Sequence, residues 1–366
     1  MEKYKDNWPE TRDHFQAWWQ RSKIDRPMLS FWAKREQALA DGVKPSAYET
    51  PEQSFTDVTL KLEHFRHFLN TRKPMAEAFP NFSADLGPGS MALYLGSDPV
   101  FAWDTLWYRE CVTDWDSYGE ILFDPNNHWW QLHLDMIRQA QDSANGDFLV
   151  NIPDIIENVD ILSALRGPMS FCYDLIDHSP RMKRYVEQLD DVYFRFYDAM
   201  YDIVKGADDS SSFTAFQIWG PGRTAKLQCD FCALMSPDQF REFVQDSLRK
   251  QCCTLDNSLY HLDGPDAIKH LDALMEIDEL DALQWTCGAG QPDGGNERWY
   301  PIYEKVRAAD KSLWISLADG ELLDAIAAVD RLVARFGSSG MYFLFHYAMS
   351  ETEGQRLLDH AEKQWG

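Results

Sequence analysis

The sequence has no run approaching ~18 consecutive apolar residues, so no transmembrane helix is expected. Positive charge is scarce. Lys and Arg total 35 against 59 Asp and Glu, which leaves a net charge of −24 over 366 residues. Such a surface repels phosphate backbones and anionic bilayers, and no Lys/Arg cluster offsets it. Binding to nucleic acid or membrane is therefore not expected. The first residues, MEKYKDNWPETRDHF, hold no apolar stretch of the kind a secretory leader needs. The cytoplasm is the expected location. The seven cysteines are an odd number in a long chain, which points to thiols rather than a disulfide framework. A G-x-G-x-x-G turn after an early strand, a P-loop and a G-x-S-x-G elbow are all missing, which argues against a nucleotide-binding Rossmann domain and an elbow-type serine hydrolase. No low-complexity linker or short repeat divides the chain, so 1–366 reads as one domain.

What is abundant is aromatic surface: 14 Trp, 15 Tyr and 21 Phe, 14% of residues. This suits either a bulky core or a ligand with flat, apolar faces. Residues 1–27 read as a helical N-terminal extension, with Phe15, Trp18 and Trp19 at helical spacing between Pro9 and Gln20. Met28 to Trp32 reads as a buried strand. From 34 to 145 the pattern is irregular, with turn signals at 85–89 and 96–99, and reads as insertions around an active-site mouth. A regular rhythm follows. Strand-like runs at 148–152, 213–219, 259–261, 282–285, 313–317 and 341–346 alternate with helical patterns at about 179–205, 236 onward, 265–275, 300–309, 322–332 and from 351. Strict alternation predicts a parallel sheet with helices outside, and a count near eight predicts a (β/α)8 TIM barrel.

In such a barrel the chemistry lies at the C-terminal ends of the strands. That rule selects Asn151, Asp154, Gln217, Trp219, His261, Asp263, Gln284, Cys287 and His346. His261 and Asp263 stand at i and i+2 of one strand and face the same way. With His346 at the end of the last strand they make a three-ligand set for a divalent metal, and Cys287 is a further candidate. The bland alternative has Asp263 capping the turn at Gly264-Pro265. Arg223 is a candidate clamp for an anion. Asp85 and Asp98 sit in Gly/Pro turns, which either line a mouth or serve the turn itself. Cys229-x-x-Cys232 and Cys252-Cys253 read as buried or incidental thiols.

Several segments together resemble the uroporphyrinogen decarboxylase superfamily. They are Leu283-Gln284-Trp285, Ser316 to Gly320, Tyr342 to His346, Gln228 to Asp230 with Met235 to Phe240, and Leu86 to Gly89 with Gly96 to Phe101. The resemblance implies a single (β/α)8 barrel and one of two chemistries. The cofactor-free decarboxylases hold tetrapyrrole carboxylates with an Arg-Gln-Ala-Gly-Arg loop, and that motif is missing from 31–37. The corrinoid-linked methyltransferases hold zinc with a His-x-Cys pair and a distant Cys. His261-Leu262-Asp263 is similar to that pair with Asp in place of Cys, and His346 falls near the third position. The harder donor set disfavours a thiolate acceptor. The expectation is a metal-dependent methyltransferase moving a methyl group between a small molecule and methylcobalamin or a corrinoid protein. Zn2+ would sit at His261, Asp263 and His346, while Gln217, Trp219, Arg223, Gln284, Asp85 and Asn151 contact substrate. A decarboxylase of uroporphyrinogen or a related tetrapyrrole, and a non-catalytic corrinoid- or tetrapyrrole-binding protein, are the alternatives. A homodimer is compatible with each.

Overall fold

The computed structural model describes residues 1–39 and 44–366. Fourteen strands occur among them, taken here in chain order: β1 Met28–Lys34, β2 Arg72–Ala76, β3 Asn81–Phe82, β4 Pro99–Phe101, β5 Leu106–Tyr108, β6 Leu149–Val150, β7 Ser211–Phe213, β8 Ile218–Gly220, β9 Thr224–Gln228, β10 Asn257–Asp263, β11 Ala282–Thr286, β12 Ser312–Leu317, β13 Met341–Phe345 and β14 Met349–Ser350. The main sheet runs in the order β14-β1-β13-β12-β11-β10-β9, parallel throughout, and β2 joins β1 in antiparallel sense. Sheet strands covered on both faces must be apolar along their length, and Met341 to Phe345 are all buried. Helices alternate with these strands, among them Tyr300–Ala308 after β11 and Leu322–Phe336 after β12. A second parallel pair, β3 with β6, carries the turn of the sheet onward, and Ile152 bridges to Phe213 of β7. The architecture is TIM-barrel-like, although no β-ladder joins β1 to β3 among the described residues.

The helix Trp8–Trp19 closes the N-terminal end of the strands. Phe15, Trp18 and Trp19 are buried, the Trp18 indole donates to the Leu313 carbonyl, and Ser312 Oγ donates to the Trp18 carbonyl at 2.6 Å. Beneath it a buried carboxylate ties three segments together. Glu77 accepts from Arg26 at 2.9 and 2.8 Å and from the Leu29 backbone N–H at 2.7 Å, and His14 Nδ1 lies 2.8 Å away. Burial, the largest influence, pushes the Glu77 carboxyl up, but Arg26 and His14 together bring it down to about 2.

Two readings of the sequence are corrected here. The stretch 213–219 is not one barrel strand. It is the antiparallel hairpin β7–β8, broken by a short 3-10 turn at Ala215–Gln217. Phe216 (φ 61°) and Gln217 (φ 49°) both take the left-handed backbone region, which ends any strand. The sheet strand is β9, reached through Gly222 (φ 75°), where an added Cβ would lie 2.1 Å from the Asp256 carboxylate. The region 34–145 is also more regular than its composition suggests. It contains the helices Val58–Thr71 and His128–Ala144. Both are amphipathic, with buried faces of Val58, Leu62 and Leu69 and of Trp130, Leu134 and Ile137.

Candidate functional site

A cavity of about 570 Å³ opens beside the C-terminal ends of β9 and β10. Its apolar wall comes from Leu106, Trp107 and Tyr108 of β5, with Ile156, Phe216, Phe231 and Pro168. Its polar wall comes from Asp154, Asp160, Lys226, Gln228, Asp230 and His261. Lys226 and Gln228 alternate on β9, so they point the same way. The Lys226 ammonium pairs with Asp154 at 2.7 Å and also donates to Gln228 Oε1.

Local hydrogen bonds fix where β9 ends. Its last residue, Gln228, donates its backbone N–H to Glu157 at 2.7 Å and accepts from Asn158 Nδ2 at 2.7 Å. Asp160 then accepts the backbone N–H groups of Asp230 and Phe231, both at 2.8 Å, which orders the 3-10 turn Asp230–Leu234. Gln228 Nε2 donates to Asp230 at 2.9 Å and to Asp160 at 3.2 Å. The Asp230 carboxylate is thereby set at the cavity wall.

There it meets the end of β10. One ligand atom each from Asp230, His261 and Asp263 lie within 4.8 Å of one another. His261 is held by its far side: Nδ1 faces Gln284 Oε1 on the neighbouring strand, and Gln284 Nε2 donates to Thr286 Oγ1 at 2.9 Å. That chain orients the amide so that its carbonyl receives a proton from Nδ1. The Nε2 lone pair is left facing the carboxylates, 4.0 Å from Asp263. Phe216 packs on the imidazole with ring centroids 5.1 Å apart. Burial, then the Lys226 ammonium, push the His261 pKa down, so the ring is neutral and competent as a ligand. Asp230 is open to the cavity yet ringed by protein. Burial raises it to about 6, with Lys226 opposing and Asp263 and Asp154 adding to the rise. Asp160 is likewise raised to about 6, by burial and then by Asp230. Asp154 Oδ1 and Glu157 Oε2 are buried without a hydrogen-bond partner. Four carboxyl groups, those of Glu110, Asp154, Asp160 and Asp230, line the cavity with one ammonium, Lys226, and this surplus of oxygen donors beside an imidazole suits a cation. Strain accompanies it: Ile156 (φ 54°) and Phe216 both line the cavity in the left-handed region, where a β-branched residue is costly.

The residues singled out from sequence divide accordingly. His261, Asp263 and Gln284 come together, and Asp154 lines the same cavity. His346 does not join the donor group. It lies exposed beyond β13, its backbone N–H donating to Leu317. Asp230 stands where His346 was expected. Cys287 is outside the group too, and burial pushes its thiol up to about 12. Arg223 precedes β9 at the opposite end of the sheet, where it pairs with Asp198 at 2.8 Å, so it is no anion clamp for this cavity. Trp219 is sealed beneath the N-terminal helix against Trp8 and Phe15. Asp85 accepts from Ser83 Oγ and the Gly87 N–H within its turn, the plainer of the two readings. Asn151 and Gln217 line a separate, smaller cavity. All seven cysteines are free. No helix of the described residues is long and apolar enough to cross a membrane. Sequence reasoning missed Asp230, Asp160, Lys226 and Gln228. The signal available was the Gly220-Pro221-Gly222 turn, which marks a new strand after it.

No protein-family model and no curated protein matches the sequence. Among solved structures the chain is similar to a methyltransferase from Methanosarcina mazei, with a TM-score of 0.60 and 13% identity over 96% of this chain and 98% of that one. At that identity the two share a fold.

Proposed function

We propose that this chain is a metal-dependent methyltransferase that moves a methyl group between a small organic molecule and cobalamin or a corrinoid protein. The observation that carries the reading is the convergence of a neutral His261 with Asp230 and Asp263, where His261 and Asp230 line a 570 Å³ cavity. The fold shared with a methyltransferase supports it. Asp230, His261 and Asp263 are the residues that would hold Zn2+ or a similar divalent ion. The donor chemistry fits, with a neutral imidazole, two carboxyl groups and a surplus of oxygen donors beside them. Bound there, the ion supplies a Lewis acid.

The chain's own groups do the rest. Gln284 fixes the His261 tautomer. Asp160 and Gln228 set the Asp230 carboxylate. Trp107, Tyr108, Phe216 and Phe231 exclude water and give a flat substrate apolar faces. Trp107 lines the cavity and is exposed, and Trp103, Met169, Tyr173 and Ile176 are large, exposed and close in sequence to the lining residues Trp107 and Pro168. They favour docking of a bulky apolar ring or its carrier protein at this mouth. The overall negative charge predicts a partner face with positive charge and salt-sensitive association. A decarboxylase of polycarboxylate tetrapyrroles fits less well. The cavity lining offers Glu110, Asp154, Asp160 and Asp230 against one lysine that is already paired.

The test is optical. Zinc-loaded protein is mixed with methylcobalamin and a panel of alcohols, amines and phenols, and loss of the cobalt–methyl absorbance is followed. Turnover in wild type that falls to background in His261→Ala is expected. Coproporphyrinogen formation from uroporphyrinogen, with no change in methylcobalamin, would overturn the proposal.

A further inference from the structure

The second cavity, about 300 Å³, differs in chemistry from the first. Four aromatic rings line it, those of Trp32, Phe65, Phe68 and Phe79, and among the described residues no charged side chain does. Its polar atoms are mostly committed to one another. Thr214 Oγ1 donates to Ser83 at 2.6 Å, and Ser83 donates to Asp85. Asn81 accepts from Ser212 at 2.9 Å and donates to the Phe213 carbonyl at 3.4 Å. Two groups are left over. The Asn151 side chain is buried to within 2% of its surface, and its Oδ1 has no partner. Gln217 accepts from Ser30 Oγ at 3.1 Å through Oε1, while its Nε2 has no partner among the described residues. A buried amide oxygen without a donor is costly, and such orphans in a cavity call for a ligand or water.

We infer that this cavity is a binding site for a neutral hydroxyarene of the phenol class. One amide oxygen and two amide NH2 groups, of Asn151 and Gln217, remain, and a hydroxyl group uses both kinds: its proton goes to Asn151 Oδ1, and its oxygen accepts from Gln217 Nε2. The four rings stack on or edge against a flat aromatic body. A charged probe is disfavoured because no cationic side chain among the described lining residues would neutralise a carboxylate or phenolate taken out of water. The site is set beside the first cavity by the kinked turn at Ala215–Gln217, whose Phe216 lines one cavity and Gln217 the other. The inference concerns binding alone and goes beyond the proposed methyl transfer.

Calorimetric titration of the full-length protein, without metal or methyl donor, tests it with phenol and benzoate as probes. Saturable binding of phenol is expected, with benzoate at least about tenfold weaker. Asn151→Leu should weaken phenol about tenfold, the effect of one lost hydrogen bond. Phe68 is 38% exposed, so Phe68→Ala keeps the core intact and should weaken phenol several-fold. Equal affinity for benzoate, no saturable binding, or unchanged phenol affinity in folded Asn151→Leu and Phe68→Ala would each overturn the inference. None of these outcomes depends on whether the protein transfers methyl groups.

Discussion

At the scale of single residues, the site depends on which nitrogen of His261 carries the proton. Gln284 decides this by accepting from Nδ1, and Thr286 holds Gln284 in turn. Gln284→Leu removes the acceptor and frees the tautomer, so zinc affinity should fall about 10- to 100-fold with the fold intact. Competition against a chromophoric chelator measures this, and an unchanged affinity would show that the ring is oriented by something else. The pairing of His261 with Asp263 was legible because positions i and i+2 of a strand share a face. Gln284 was legible because it is a polar residue within the apolar run of the adjacent strand, near that strand's C-terminal end. Asp230 was not, because a residue just past a strand is visible only when the strand is. His346 misled for a related reason. A polar group after an apolar run marks the right end of the barrel but not which way the side chain points.

At the scale of elements, the helices were easier to read than the short strands. The helix Glu351–Gln364 begins at Ser350, whose hydroxyl accepts the Glu353 N–H while Glu353 reaches back to the Ser350 N–H. Ser350→Ala should cost about 1 kcal/mol in chemical denaturation, and no loss would mean that β14 alone holds that start. Helices Ser179–Val204 and Tyr300–Ala308 likewise lie close to where capping and periodicity predict them. The failure came at 213–228. The apolar run Phe213 to Trp219 has strand composition but takes a hairpin with a left-handed kink. The strand that enters the sheet, Thr224-Ala225-Lys226-Leu227-Gln228, alternates polar and apolar residues like an exposed one. All five are buried, because Lys226 and Gln228 face a polar cavity rather than solvent. Composition reports the medium a strand expects, and here that medium is the site.

At the scale of the molecule, two electrostatic features set stability. Glu77 anchors the N-terminal helix and β1 through Arg26 and His14. Its carboxyl is lowered from 4.5 to about 2, so its contribution is fully present above about pH 4.5 and is lost as pH falls toward 2. Glu77→Gln leaves Arg26 buried without its charge partner and should cost about 3–5 kcal/mol at pH 7. That gap should narrow between pH 5 and pH 2.5 in denaturant titrations, and a gap independent of pH would contradict the assignment. The net charge of −24 opposes compaction through self-repulsion. Raising sodium chloride from low to moderate concentration should raise Tm, and a fall in Tm would show that attractive ion pairs outweigh the repulsion.

If Asp230, His261 and Asp263 form a metal centre beside the cavity, the zinc content of the purified protein reports it. Wild type, Asp230→Ala and His346→Ala are loaded with zinc, desalted and analysed for zinc per chain. Asp230 is destabilised by its surroundings, so its removal should leave Tm unchanged or raised and any metal loss is not unfolding. Near-stoichiometric zinc in wild type and His346→Ala, and little in Asp230→Ala, is predicted. Zinc lost with His346 and retained without Asp230, or no zinc in any of the three, would contradict it.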